Sequence, residues 1–262
     1  MQIPGNRADG AQTRPAQSLA RIISALGITA DYRWAWDHYE EVVGTVARVT
    51  HAKRFLEIGG GRDPLFDAGE LAAAGITLTV NDISASELAR LPDSYHKAVF
   101  DVAGDISMRT DLHDQFDLIF SQMVFEHVSD GEKAWANVYD LLAPGGVALA
   151  FIPTLYALPF IANKLLPDAA ARKIVQSLYR HRGEQTYPVF PARYSFAYAS
   201  ESKLKPMLAA IGYREMAALP FYGHEYYARF PLVRTIHRQF TALAKAKDWR
   251  VLASYAYIIV RK

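Results

Sequence analysis

The stretch Phe55-Leu56-Glu57-Ile58-Gly59-Gly60-Gly61-Arg62-Asp63 decides how this chain of 262 residues reads. Residues 55–58 make a short apolar strand, and three glycines follow at once. Glycines between a strand and a helix let the backbone approach a ligand closely and adopt conformations closed to other residues. Ile76–Val80 reads as the next strand, and Asp82 stands at its end, 25 residues after Glu57. A carboxylate at that place can accept the hydrogens of both ribose hydroxyls.

Outward from this turn, strands and helices alternate. Asp63-Pro64 reads as a helix cap followed by a proline at the first helical position, for a helix that runs to about Ala74 and stops at Gly75. Ser84 and Glu87 have the spacing of a capping box for a second helix. Ala98–Val102 reads as a third strand and Asp117–Ser121 as a fourth. Ser129 and Glu132 make another capping box, for a helix to about Ala143. Pro144-Gly145-Gly146 then turns the chain into a fifth strand, Val147–Ile152. The pattern resumes with a helix near 202–210, a strand near 214–221, a helical stretch near 231–247 and a last strand, Ser254–Val260. Such alternation predicts an α/β fold: a doubly wound, mostly parallel, seven-stranded sheet of Rossmann-like type.

The flanks differ in character. Residues 1–17 are polar, with proline and glycine, and read as a disordered leader without a signal-peptide apolar core. Residues 18–50 read as an N-terminal helical cover. Ser18 can cap a first helix that Gly27 ends, and Asp31 can start a second one carrying Trp34, Trp36 and Tyr39. Residues 51–153 form the core of the reading. Residues 153–200 hold five prolines and many aromatics, so 154–200 reads as a lid or insertion, and 201–262 completes the sheet.

Composition narrows the chemistry. There is no cysteine, which excludes disulfides, thiolate zinc sites and cysteine nucleophiles, and suits a reducing cytoplasm. From Leu141 to Asn163 no residue is charged, but the prolines and glycines within it fit a strand between turns better than a membrane span. The expectation is a cytoplasmic protein without a transmembrane segment, with contact to a membrane surface left open. Residues 1–150 carry a net charge of −9 and residues 151–262 one of +11. A basic C-terminal part could face an anionic substrate or surface, or be a set of solvated helix faces.

The glycine turn also selects among cofactors. A dinucleotide site asks for G-x-G-x-x-G; here Gly59 and Gly61 fit, but Pro64 takes the third place. Glu57 would sit unfavourably close to a pyrophosphate. S-adenosylmethionine carries an ammonium and a sulfonium instead, so a carboxylate near the loop is welcome. LEIGGGRD resembles motif I of class I methyltransferases, and TVNDIS resembles their second-strand acidic motif. GDISM, FDLIFSQMVFEHVSD and LLAPGGVALAFIP resemble the later motifs of the small-molecule subgroup, in the same order and spacing over about residues 55–153. The resemblance implies S-adenosyl-L-methionine as cofactor. Glu57, Gly59, Gly60 and Gly61 would line its methionine part, and Asp82 would hold the ribose with Ile83 against the adenine. Asp105 with Ile106 would meet the adenine amino group, with Asp101 as the rival, and Gln122 completes the set.

For the chemistry, the candidate is His127. It follows the fourth strand, where open α/β sheets bind ligands, and histidine is a natural base near neutral pH. It could equally shape the pocket without moving a proton. Metal is not expected: Met123 replaces the first glutamate of an E-x-x-E-H pattern. The C-terminal part is rich in aromatics with polar tips, which suit a sugar or an aromatic ring. Lys164, Arg172, Lys173, Arg180 and Arg182 could pair with phosphate. The expected reaction is methyl transfer to an oxygen of a small or glycan-like acceptor that can carry phosphate. RNA methylation and a non-catalytic binding role are the alternatives; nucleic acid is disfavoured because no RNA-binding module is visible.

Overall fold

The computed structural model describes residues 18–155, 190–225 and 231–262. Its frame is one seven-stranded sheet, built from β1 (Arg54–Ile58), β2 (Thr77–Asp82), β3 (His96–Val99), β4 (Phe116–Gln122), β5 (Leu142–Pro153), β6 (Glu215–Phe221) and β7 (Tyr255–Arg261). The strand order is β3-β2-β1-β4-β5-β7-β6, parallel except for β7, which runs antiparallel to both neighbours. The order reverses between β1 and β4, and open α/β sheets bind their ligands at such a switch point, beyond the carboxyl ends of the strands. β1, β4 and β5 are buried along most of their length, as strands covered on both faces must be.

Helices α1 (Leu19–Ala25), α2 (Tyr32–Asp37) and α3 (Tyr39–Thr50) precede the sheet. The side chain of Asp31 caps α2 by accepting from the Arg33 amide. Tyr39 reaches across the carboxyl edge, and its hydroxyl donates to the Ser121 carbonyl at 2.7 Å. The crossovers are α4 (Ala68–Ala73), α5 (Ala85–Leu88) and α6 (Gly131–Leu141); α7 (Glu201–Ile211) and α8 (Pro231–Ala246) flank β6. Ser84 caps α5 as its spacing suggested, its side chain accepting from the Glu87 amide.

Three local expectations are corrected. The helix after the glycine turn starts at Ala68, capped by Asp67 and not by Asp63. Residues 63–66 are drawn elsewhere: the Leu65 amide donates to both oxygens of Glu57, and Phe66 packs edge-on against Phe120. The third strand ends at Val99, not Val102, because the buried Asn81 side chain donates to the carbonyls of Ala98 and Phe100 and takes over from the ladder. The cap of α6 is Asp130, the neighbour of Ser129, accepting from the Lys133 amide. The leader (1–17) and the Lys164–Arg182 basic cluster lie outside the described residues.

Candidate functional site

The glycine turn is pinned from below and pressed from two sides. The Gly59 and Gly60 amides both donate to the Asn81 carbonyl, at 2.9 and 3.1 Å, which ties the turn to β2. Gly59 (φ 74°) and Gly61 (φ 52°) adopt left-handed conformations. A Cβ on Gly59 would strike Val124 of the loop after β4, and one on Gly61 would stand 3.3 Å from Asp82 Oδ2. The turn, the end of β2 and the loop after β4 therefore meet at the switch point.

Glu57 lies beneath the turn, 7% exposed, with both oxygens sharing the Leu65 amide. Burial pushes its carboxyl up to about 8, against the pull of that single hydrogen bond. A buried carboxyl with one donor keeps room for an ammonium group. Asp82 is half-buried; desolvation raises its carboxyl above the usual range, although the Ser84 amide donates to Oδ1. Ile83 beside it is 54% exposed, an apolar side chain open to a flat ring. These features fit S-adenosylmethionine: an acceptor for its ammonium, a carboxylate for its ribose and an apolar face for its adenine.

Asp101 and Asp105 both follow β3 and both are exposed. Asp101 stands two residues beyond Val99, the register partner of Asp82, and accepts from the Ala103 amide. Asp105 lies further along, accepting from the Ser107 amide, which holds its carboxyl below the usual range; Ile106 is buried. Gln122 closes β4, half-buried, and Met123 after it takes a positive φ of 54°.

Two groups escaped the sequence reading. Arg62 and Glu87 form a bidentate pair at 2.5 and 3.1 Å, both largely buried, which clamps the glycine loop onto α5. The capping-box spacing had assigned the Glu87 side chain to its own helix. Asn81 joins the turn, β2 and β3 through its carbonyl and its amide; a polar residue next to the end of an apolar strand was the available signal.

Beyond β4 the loop carries Glu126 and His127. Glu126 is 5% exposed, burial pushes its carboxyl up to about 8, and its Oε2 has no hydrogen-bond partner. Its carbonyl accepts from the amides of Arg193 and Tyr194, so residues 190–197 dock on this loop. His127 Nδ1 lies 3.3 Å from the Pro191 carbonyl and Nε2 lies 3.6 Å from Glu126 Oε1. Burial lowers its basicity below the ordinary histidine range, although the hydrogen bond to the Pro191 carbonyl pulls the other way. Over the carboxyl ends of β5 and β6 and the amino end of β7 lies an aromatic group: Trp36, 40% exposed, packs edge-on against Phe151 and Tyr255, and Tyr32 stacks on Tyr255. No group of three or more possible metal-binding side chains occurs among the described residues.

Residues 56–150 match the methyltransferase-domain family. No curated protein matches the chain. Among solved structures it is similar to a CurJ carbon methyltransferase (TM-score 0.50, 15% identity, 85% of this chain and 52% of that one). It is similar also to the CMeT domain of the citrinin polyketide synthase (0.51, 15%, 86% and 51%). A third is the Haemonchus contortus phosphoethanolamine N-methyltransferase 2 bound to phosphomonomethylethanolamine and S-adenosylhomocysteine (0.50, 14%, 95% and 61%). The chain spans about half the length of the first two. Its fold is that of the class I S-adenosylmethionine-dependent methyltransferases. Within it, residues 56–150 match a methyltransferase domain, which supports S-adenosyl-L-methionine as the cofactor.

Proposed function

We propose that the chain transfers the methyl group of S-adenosylmethionine to a small-molecule acceptor held over the carboxyl ends of β4 and β5 and the amino end of β7. The observation that carries this reading is the meeting of Gly61 and Asp82 at the switch point, 3.3 Å from a would-be Cβ to the carboxylate. Only a glycine leaves the backbone amides and that carboxylate open to one ligand. In this reading Glu57 takes the ammonium, Gly59, Gly60 and Gly61 border the methionine part, Asp82 holds the ribose, and Ile83 and Ile106 flank the adenine, with Gln122 near the methyl group. Asp82→Ala should remove about 1.5–3 kcal/mol per charged hydrogen bond, weakening S-adenosylmethionine about ten- to a hundredfold in calorimetry. Unchanged affinity in a folded variant removes Asp82 from the site.

The acceptor atom is an oxygen of a small or glycan-like molecule, phosphate-bearing or not, with His127 as the base. A half-buried imidazole of lowered basicity on the loop after β4 supports this, and the exposed Trp36 offers a face for a sugar. A second reading, a neutral amine acceptor, is favoured by the same histidine: one ring nitrogen faces Pro191 and the other faces Glu126. An amine is nucleophilic without a base, so His127 could then remain a clamp between the two loops.

A further inference from the structure

The last helix turns little of its surface inward. Among the described side chains of α8 only Ala244 is buried, with His237 and Thr241 half-buried. Leu232, Ile236, Phe240 and Leu243 are 75%, 63%, 37% and 46% exposed. Spaced by four, four and three residues, they fall within roughly 80° of one another around a helix of 3.6 residues per turn. Trp249 and Val251, 43% and 50% exposed, follow in the next turn. Arg234, Arg238 and Lys245 take the opposite side of the helix and are exposed. With Lys247, Arg250 and Asp248, residues 231–252 carry a net charge of +4.

A helix with an aliphatic and aromatic stripe on one side and Arg and Lys on the other is built to lie in a membrane interface. No helix among the described residues is long and apolar enough to cross a membrane, so the contact is in the plane. Charge chooses between occupants. A second copy offering the same helix would set +4 against +4, whereas anionic headgroups attract Arg238, Lys245 and Lys247, whose long stems bend toward the surface; Arg250 is instead held by Asp248 and Glu201. The helix is also tied to the aromatic group over the sheet. The His237 and His224 rings lie 4.2 Å apart, and a Cβ on Gly223 would meet both Tyr32 and Thr241.

We propose that α8 seats this protein on an anionic lipid bilayer, with Leu232, Ile236, Phe240 and Leu243 in the boundary between headgroups and acyl chains. The aromatic end of the sheet then faces the membrane, and an amphiphilic acceptor can enter from it. The seating does not depend on the acceptor reading above, since it is measured without turnover.

The full chain is floated with vesicles of pure phosphatidylcholine and with vesicles containing phosphatidylglycerol. It should float with the anionic vesicles, less as salt is raised, and hardly with the neutral ones. The double variant Ile236→Glu with Phe240→Glu should lose at least about tenfold in vesicle affinity, since the apolar stripe supplies insertion. Arg238→Gln with Lys245→Gln should lose about tenfold or more on anionic vesicles alone. All four positions are exposed or at the surface, and unchanged melting and S-adenosylmethionine binding would verify the fold. Failure to float with either vesicle overturns the proposal. So does flotation that the Glu pair leaves intact. A dimer in sedimentation that the Glu pair dissociates would assign the stripe to a second copy instead.

Discussion

The two ends of the carboxyl edge are built differently. At the β1–β2 end, each candidate cofactor group is fixed by the backbone nearby: Glu57 by the Leu65 amide, Asp82 by the Ser84 amide, and Gly59 and Gly60 by the Asn81 carbonyl. At the β4–β5–β7 end, the side chains come from segments far apart in sequence: Trp36 from α2, His127 from the β4 loop, Tyr194 from the segment docked on it and Tyr255 from β7. The first arrangement fixes one ligand shape with few residues. In the reading proposed above, the second would let the acceptor vary while the sheet stays the same. A carbon methyltransferase and a phosphoethanolamine N-methyltransferase are among the structures of similar fold.

The strongest way to break this division is at His127. If it takes a proton from an acceptor hydroxyl, His127→Ala should lower turnover by about 10²–10⁴, with S-adenosylmethionine affinity nearly unchanged. The wild-type rate would then fall at acid pH as the imidazole is protonated, below the ordinary histidine range because burial lowers its basicity. A loss under about tenfold, with that acid limb retained by the variant, would leave His127 as a clamp on Pro191. The amine reading would then be the better one.

How much was legible in the sequence follows the same division. The glycine turn, the acidic end of β2 and the Ser84 cap are local, so spacing alone exposed them. Asp63 and Asp67 are equally good caps on paper; what selects Asp67 is the demand that Leu65 reach Glu57 and Phe66 reach Phe120, which is tertiary. Asn81 ended β3 from the neighbouring strand, and Arg62 drew Glu87 away from its own helix. At the acceptor end, nothing local announced that Pro191 would stand against His127, 64 residues away.

Glu57 offers a test of the cofactor end by pH. Its carboxyl is pushed from 4.5 to about 8 in the folded chain. Between those values the unfolded chain has lost the proton that the folded chain keeps, so this group lowers stability as pH rises from 4.5 to 8 and adds no change above. A bound ammonium favours the ionised form. Affinity for S-adenosylmethionine should therefore rise between pH 6 and 7.5, by at most about tenfold per unit. Glu57→Gln should flatten the rise. A pH-independent affinity in the wild-type protein would mean that no cation reaches Glu57.

The smallest effect separates Asp101 from Asp105. The motif spacing favours Asp105, twelve residues before Asp117. The structure sets Asp101 nearer the end of β3, in line with Asp82 across the β2–β3 pair, while Asp105 already lies close enough to α6 to feel Lys133. Asn keeps a carboxamide oxygen that can still accept from the adenine amino group, so the residue that makes the contact should cost only about three- to tenfold in affinity when changed to Asn. Adenine specificity is the sharper readout. The correct variant should narrow the preference for S-adenosylmethionine over its inosine analogue, which lacks the amino group, and the other should leave that preference intact. If Asp101→Asn narrows it, the strand end governs the adenine contact and the motif spacing misplaces it. If Asp105→Asn does, the loop after β3 must bring Asp105 back over Ile83, and the spacing is the better guide.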